Sequence, residues 1–419
     1  METKKLKLQS NQSFVNALET GSIILILLWG DGIYVSPSMS FIIPILNVVS
    51  YLIVAILVLS RFKRIIYIAT KDIPLLLLFG LASFSILWSE NITYSVDYFI
   101  AIFRTTLLGA YIAACYSPKK QMWLLFLVGI IASILSLAVG LTIPSGEAWW
   151  LGIYSHKNYF ARMMIFAAIT SLIITLDIRR YRYRWVTIAA FFLAVALLLL
   201  SQGKTGLAVF LISLCFVPFY QIIVKQPYRL RVIIFTTSLI IFIFIAVLVL
   251  NNIETIVIDW MGKDLEFNGR SPIWERVIPK IWDRPLLGYG IHGFWSSQEG
   301  LNAARGLWIE SFLIEGLGMH SHNGYLDLLL DLGFVGLLLF SINLVSILNR
   351  ILYLLFTTQK IEYFWMLQFI LISQMYQMAE IMTILTNSYL WAFYVSISLS
   401  TAIAYSNRHR KKTKFVLRA

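Results

Sequence analysis

Long apolar runs recur along the chain and are separated by short polar segments. A helix that crosses the hydrocarbon core of a bilayer takes about 20 predominantly apolar residues, and the run from Val232 to Leu250 carries no charged residue at all. The pattern predicts about twelve transmembrane helices. They lie near residues 14–31, 41–60, 73–89, 96–116, 122–142, 159–177, 186–201, 205–224, 232–250, 324–348, 362–384 and 387–405.

Composition agrees with this pattern and excludes a soluble enzyme with a water-facing surface. Hydrophobic residues make up 59% of the chain and charged residues 13%, against about 45–50% and about 25% in ordinary globular proteins. We therefore expect an all-α polytopic membrane protein. Cys115 and Cys215 both lie inside apolar runs, which argues against a disulfide framework and a zinc ribbon. No small-residue cleavage site follows the first apolar run, so we interpret it as a span and not as a removed signal peptide.

The positive charges are distributed unevenly between the two sides of the predicted bundle. The net charge is +13, and most of the 34 Lys and Arg residues lie in the loops on the side of the N-terminus. By the positive-inside rule, we expect both termini to be cytoplasmic. The positive charge therefore reflects the orientation of the chain in the membrane and does not indicate a nucleic-acid partner. The basic tail at 408–414 can attract anionic lipid of the bilayer.

This topology divides the chain into three parts. Residues 1–250 hold the first nine predicted helices, and residues 251–323 form one large extracytoplasmic loop. Residues 324–419 hold the last three helices and the basic cytoplasmic tail. In the loop, Ser271 and Pro272 are typical of a helix N-cap and first turn, and the apolar spacing that follows predicts an amphipathic helix ending before Pro285.

Several basic residues lie inside a span or on the outer side, where the positive-inside rule disfavours them. Arg104 falls within the fourth predicted helix, and an ionisable residue there is a functional hypothesis by default. The alternative is an ion pair with Asp97, which lies two turns earlier on the same helix face. Lys157 and Lys204 have few acidic neighbours in sequence. Such residues indicate an anionic ligand.

The segment His320-Ser-His-Asn-Gly-Tyr-Leu-Asp327 lies at the outer mouth of the tenth predicted helix. A His-x-His metal site is one interpretation, but its other ligands would have to come from far away in the chain. A general base is the more natural one, because histidine titrates near neutral pH. Asn323 can cap the helix. The positive helix end would keep a histidine neutral and would favour a bound phosphate.

These residues resemble the bacterial O-antigen ligase and O-antigen/exopolysaccharide polymerase superfamily. The resemblance covers about residues 150–345, and it is closest to the exopolysaccharide-polymerase branch. Ligases typically carry an arginine at the position of Lys204, so the lysine favours a polymerase. The segments that carry the resemblance are Ser155–Asn158, Ser201–Gly206, Gly269–Trp274, Arg284–Gly290, Phe294–Trp295 and His322-Asn323 with Gly333 and Gly336.

The resemblance implies a metal-independent, inverting glycosyltransferase without a cofactor, whose donor is a saccharide on undecaprenyl diphosphate. It would act on the outer side of the inner membrane, with a flippase and a chain-length regulator of the same pathway as possible partners. His322 would be the base, with Arg270 as a catalytic cation. The residues expected to bind substrate are Lys204, Lys157, Asn158, Arg104, His320, Asn323 and Arg276. Two alternatives stay open, namely a ligase that transfers the glycan to a lipid-core or protein acceptor, and a polysaccharide or lipid transporter.

Overall fold

The computed structural model describes residues 2–30, 32–34, 41–142, 149–177, 181–224, 226–234, 236–237, 269–315, 319–380 and 384–416. These residues form helices joined by loops, with one isolated bridge between Ile33 and Tyr154. The helices are α1 (Glu2–Trp29), α2 (Ile42–Ser60), α3 (Phe62–Ala69), α4 (Ile73–Phe84), α5 (Ile92–Cys115), α6 (Pro118–Thr142), α7 (Lys157–Asp177), α8 (Tyr181–Leu200), α9 (Lys204–Val224), α10 (Ser271–Asp283), α11 (Gln298–Ala304), α12 (Glu310–Ile314), α13 (Gly324–Thr358), α14 (Ile361–Gln377) and α15 (Tyr389–Val416).

The prediction of an all-helical membrane protein is confirmed for this part of the chain. Within it, six helices are long and apolar enough to cross a membrane, and a seventh span is possible if the pair of α3 and α4, bent by 103°, crosses as one. The predicted span at 232–250 lies largely outside the described residues. The number of twelve spans and the division into three parts therefore stay predictions.

Two pairs of the predicted cytoplasmic segments are joined by side-chain contacts. Lys119 pairs with Asp177 at 2.5 Å, which joins the start of α6 to the end of α7. Arg231 donates to the carbonyl oxygen of Phe356 at 2.7 Å, near the end of α13. Each contact joins two segments that the charge pattern assigns to the same side, and it stays a prediction that this side faces the cytoplasm.

The helix that follows the histidine segment, α13, is kinked, and a loop is hydrogen-bonded to its backbone at the kink. Gly333 has a φ of 62°, outside the helical region, and a Cβ there would clash with the carbonyl oxygen of Leu286. The segment 285–290 packs into this bend, where the amide of Tyr289 donates to the carbonyl oxygen of Leu330 at 2.7 Å. Glycine fits because it has no side chain and tolerates a positive φ.

The amphipathic helix of the outer loop forms where the apolar spacing predicted it. α10 ends at Asp283 and buries Ile273, Val277 and Ile281 on one face. The predicted cap was wrong by one residue, because the helix already begins at Ser271 and Arg270 occupies the cap position without a side-chain cap. A difference of one residue at the start of a helix is common, because the terminal turns of helices fray.

Candidate active site

A buried carboxylate, Glu380, brings together residues that are far apart in the chain. It lies in the loop after α14 and is 5% exposed. Its Oε1 accepts from Nη2 of Arg270 at 2.7 Å and from Nδ2 of Asn158 at 2.8 Å. These partners come from the start of α10 and the first turn of α7. The carboxylate therefore holds three separate elements at one point.

Both histidines of the predicted motif face the other oxygen of this carboxylate. Nδ1 of His322 lies 3.1 Å from Oε2 of Glu380, and Nε2 of His320 lies 3.8 Å from it. The backbone amide of His322 donates to Nδ1 of His320 at 3.1 Å. The shorter distance makes His322 the hydrogen-bonded partner of the carboxylate, and His320 its neighbour.

A second buried carboxylate, Asp327, fixes the loop that carries the histidines. It accepts from the amide of Ser321 at 3.0 Å, from the Ser321 hydroxyl at 2.8 Å and from Nε1 of Trp295 at 2.8 Å. The side chain of Asn323 accepts from the first amides of α13, which confirms the predicted cap. His322 itself has a φ of 54°, a strained value for a non-glycine residue that these surrounding contacts hold in place.

The charges in the cluster are set by burial and by the neighbouring cations. Burial acts to raise the pKa of the Glu380 carboxyl, but the hydrogen bond from His322 and the charges of His322, His320 and Arg270 lower that pKa to about 2. Burial, and next the charge of His322, lower the pKa of His320 to about 4. At neutral pH, Glu380 is therefore ionised and His320 is neutral.

This arrangement leaves one nitrogen of His322 free to accept a proton. A carboxylate accepts hydrogen bonds, so Nδ1 of His322 must carry the proton that faces Glu380. Its Nε2 is buried and has no hydrogen-bond partner among the described residues. A histidine whose one nitrogen donates to a carboxylate is held in the tautomer in which the other nitrogen is a base. His322 thus has the geometry of a general base.

The same three side chains could also hold a metal ion. Ligand atoms of His320, His322 and Glu380 all lie within 4.8 Å of one another. The expectation that further ligands would come from far away in sequence was correct, but it did not foresee that Glu380 would supply one. Arg270 and Asn158 already bond to Oε1 of this carboxylate, and a guanidinium beside it disfavours a divalent cation. Catalysis without a metal stays our prediction.

The other predicted binding residues lie in different surroundings. The alternative ion pair of Arg104 with Asp97 is wrong, because the Arg104 guanidinium donates instead to Ser50 and Asn387, at 2.5 and 2.9 Å. Nζ of Lys157 lies 4.0 Å from the centre of the Trp149 ring. Lys157 therefore makes a cation–π contact near the site rather than a contact with the carboxylate.

Two predicted cations are not brought to the carboxylate cluster. Lys204 is exposed at the first position of α9, and Arg276 is exposed on the outward face of α10. Neither contacts Glu380 in the structure. Their predicted role in substrate binding would therefore require a ligand that extends beyond the cluster.

Sequence reasoning missed Glu380, although a signal for it was present. It falls inside the apolar run predicted as the span 362–384. An ionisable residue inside a membrane span is costly and therefore suggests a functional role, for Glu380 as for Arg104. Asp327 was part of the quoted motif but had no predicted role. Its side-chain contacts with the histidine loop could not be deduced from spacing.

Two comparisons with known proteins find similar sequences for part of this chain. The O-antigen ligase family model matches residues 189–341. This range includes Arg270 and the histidine motif and ends before Glu380. The chain is also 30% identical over 91 residues to the exopolysaccharide production protein ExoQ of Rhizobium meliloti (strain 1021). That match covers 22% of this chain and 20% of the relative.

Proposed function

We propose that this chain, in which the O-antigen ligase family model matches residues 189–341, is a membrane glycosyltransferase that polymerises saccharide repeat units carried on undecaprenyl diphosphate. The product would be a surface polysaccharide, made on the outer side of the inner membrane without a metal ion. The observation that carries the proposal is the contact of His322 with the buried Glu380, which leaves Nε2 of the histidine free as a base. The likeness to an exopolysaccharide production protein supports a polysaccharide product.

In the proposed reaction, a sugar hydroxyl of the acceptor attacks the anomeric carbon of the donor. Nε2 of His322 takes the hydroxyl proton while the new carbon–oxygen bond forms. The bond from the anomeric carbon to the diphosphate oxygen breaks, and its electron pair leaves with the diphosphate. Glu380 stays ionised and stabilises the imidazolium, as the carboxylate of a catalytic triad does. Attack from the face opposite the leaving group inverts the anomeric centre.

Arg270 is placed to act on the leaving group. One of its nitrogens is bonded to Glu380, and a guanidinium has five N–H donors in a planar fork. Two of the remaining donors can bind two oxygens of a diphosphate in a bidentate contact. Negative charge grows on the diphosphate as the bond breaks, so a fixed cation here would stabilise the transition state more than the ground state.

The test is an assay in which the purified protein is incubated with lipid-linked oligosaccharide that has been extracted from the cells that produce this oligosaccharide. We expect a ladder of polymer on undecaprenyl diphosphate, formed in the presence of a chelator and absent with His322→Ala. A transfer of the glycan to an added lipid-core or protein acceptor, without a ladder, would favour the ligase, which is the activity that the matching family model names. If the folded wild-type protein leaves the lipid-linked oligosaccharide unchanged, the proposal that it is a glycosyltransferase is refuted.

A further inference from the structure

A cavity of about 570 Å³ lies next to the carboxylate cluster, and helix α7 contributes residues to both. Asn158 in the first turn of α7 contacts Glu380, while Tyr159 and Arg162 of the same helix line the cavity. The opposite walls come from the end of α1, the start of α2, α5 and the segment before α15. Its volume lies within the range of about 300–1,000 Å³ typical of small-ligand pockets.

Arg104 presents a buried cation to this cavity. It is 4% exposed, and its described partners are all neutral. Its guanidinium donates to Ser50 and Asn387 and lies 4.5 Å from the ring centre of Tyr51. A buried charge is costly unless an opposite charge or several hydrogen bonds compensate it. The two hydrogen bonds use part of the fork, which leaves N–H donors for a ligand.

The rest of the described cavity wall adds positive charge and no negative charge. Arg162, also 4% exposed, lines the same cavity, and its guanidinium lies 4.9 Å from the ring centre of Tyr159. Among the described lining residues none carries a carboxylate; the others are aromatic, amide, hydroxyl, glycine or apolar residues. Guanidinium groups with amide and hydroxyl neighbours form the usual donor set for a phosphate.

The cavity borders on an exposed, largely apolar surface of a candidate membrane span. Tyr34 and Ile43 line it and are 59% and 37% exposed. Most residues of α2, a candidate membrane span, are also exposed. In the cavity wall, Nε1 of Trp29 donates to Oδ1 of Asn47 at 3.0 Å, which is the kind of polar contact that tryptophan makes at a membrane interface. An anion carried on a lipid could therefore enter from the bilayer.

We propose that this cavity binds the phosphate or diphosphate headgroup of a polyprenyl lipid, with Arg104 as its main ligand. The identity of that lipid rests on the proposed function. A polymerase joins two lipid-linked saccharides and therefore needs a place for two diphosphates. Arg270 stands beside the base and would hold the diphosphate that leaves, so the cavity would hold the second substrate, whose hydroxyl attacks.

Native mass spectrometry of the detergent-purified full-length protein can count the bound lipids. With undecaprenyl diphosphate as the probe, we expect two molecules on the wild type, one on Arg104→Gln and one on Arg270→Gln. Loss of a charge-assisted contact should weaken the affected site by about tenfold or more. Arg104→Lys keeps the charge and should retain weaker binding, which separates loss of the ligand from loss of the fold. Arg61→Gln, an exposed arginine at the other end of α2, is the matched control and should bind two.

Two further probes distinguish the source of the anion. Inorganic diphosphate should compete at the Arg104 site with lower affinity than the lipid, and undecaprenol, which has no phosphate, should not occupy it. Equal affinity for inorganic and lipid diphosphate would overturn the assignment to a lipid. Equal binding of undecaprenol, or two lipids on Arg104→Gln, would overturn the anion site itself.

Asp31 provides a last discriminating variant, because its neighbours Gly30 and Gly32 line the cavity while Asp31 lies outside the described residues. If its carboxylate already occupies the place of the ligand, the second lipid would bind to Asp31→Asn but not to the wild type, and the proposal would be wrong. Failure of the proposed function is a separate result. If the wild type binds two lipids but does not convert lipid-linked saccharide, the proposed lipid site in the cavity stands and the proposed glycosyltransferase activity is refuted.

Discussion

Replacing Glu380 by glutamine tests whether the carboxylate cluster performs general base catalysis. The oxygen that faces Arg270 and Asn158, at 2.7 and 2.8 Å, can be kept by the amide carbonyl. The amide nitrogen then faces Nδ1 of His322, which lies 3.1 Å away in the wild type. A donor in this place favours the wrong imidazole tautomer, in which Nε2 carries the proton and cannot accept another.

The size of the effect follows from the charge that is lost. After proton transfer, an imidazolium and a carboxylate about 4 Å apart attract by about 4 kcal/mol at an effective dielectric constant of about 20. This corresponds to about a thousandfold in rate, and it lies inside the range of about 10²–10⁴ for general base catalysis. We therefore expect Glu380→Gln to lower kcat by about a thousandfold, with a much smaller change in the KM for the lipid-linked donor.

The assay is turnover of lipid-linked oligosaccharide by purified, monodisperse protein. Glu380→Asp keeps the charge on a shorter side chain and should fall between the wild type and Glu380→Gln. Glu299→Gln is the matched control, because it removes a carboxylate that pairs with Lys280 in the same outer loop at 2.6 Å, away from the histidines. If Glu380→Gln keeps more than about a tenth of wild-type turnover, the carboxylate does not set the tautomer and the reasoning is wrong.

Four further predictions use other parts of the site. His320→Ala should leave measurable product, about a fivefold loss, while His322→Ala abolishes it; equal losses in turnover would contradict the assignment of the base. Arg270→Lys should lose much of the turnover because a point charge replaces the planar fork, and wild-type rates would remove Arg270 from the site. EDTA should leave turnover unchanged, and loss with rescue by a divalent cation would indicate a metal on the histidines. A cysteine at the exposed Arg305, in a variant without native cysteines, should react with an impermeant reagent from outside; labelling that requires permeabilised cells would reverse the topology.

Acid stability follows from the pKa of Glu380. The folded-state pKa is about 2, below the ordinary 4.5, so the unfolded chain binds the proton more readily. The stabilising contribution of this carboxylate is complete above pH of about 4.5 and is lost as the pH falls towards 2. Thermal unfolding of the purified protein should therefore depend less on pH in this window for Glu380→Gln than for the wild type, and parallel curves would contradict the assigned charge.

The elements that depend on local sequence could be predicted, and those that depend on contact between distant segments could not. The length and spacing of the apolar runs predicted α10 and the candidate membrane-spanning helices. This was possible because each of these helices is determined by its own residues. The cap by Asn323 was predictable because it involves the next amides of the same helix. The kink at Gly333 was not, because it results from the loop at 285–290 packing against the backbone of α13.

The site divides in the same way. The motifs predicted His322 and Arg270 as site residues, yet Glu380, which contacts both, lies 58 residues beyond the histidine. Its position in an apolar run was visible, but a lone carboxylate in a span does not name its partners. The alternative of an ion pair between Arg104 and Asp97 failed for the same reason, because Asp97 is near in sequence whereas Asn387, one of the two hydrogen-bond partners of Arg104, is 283 residues away.

The charge balance of the cluster suits a reaction in which charge separates. Before reaction, the negative charge of Glu380 and the positive charge of Arg270 offset each other, and the neutral imidazole of His320 adds nothing. When His322 takes a proton, the cluster gains one positive charge at the moment when the diphosphate gains negative charge. Because the cluster is buried, both charges act in a low effective dielectric, where their attraction is stronger than in water. Placing the base and Arg270 on one carboxylate therefore links proton transfer to departure of the leaving group, and this link explains why Glu380 should matter to the rate although it touches neither substrate.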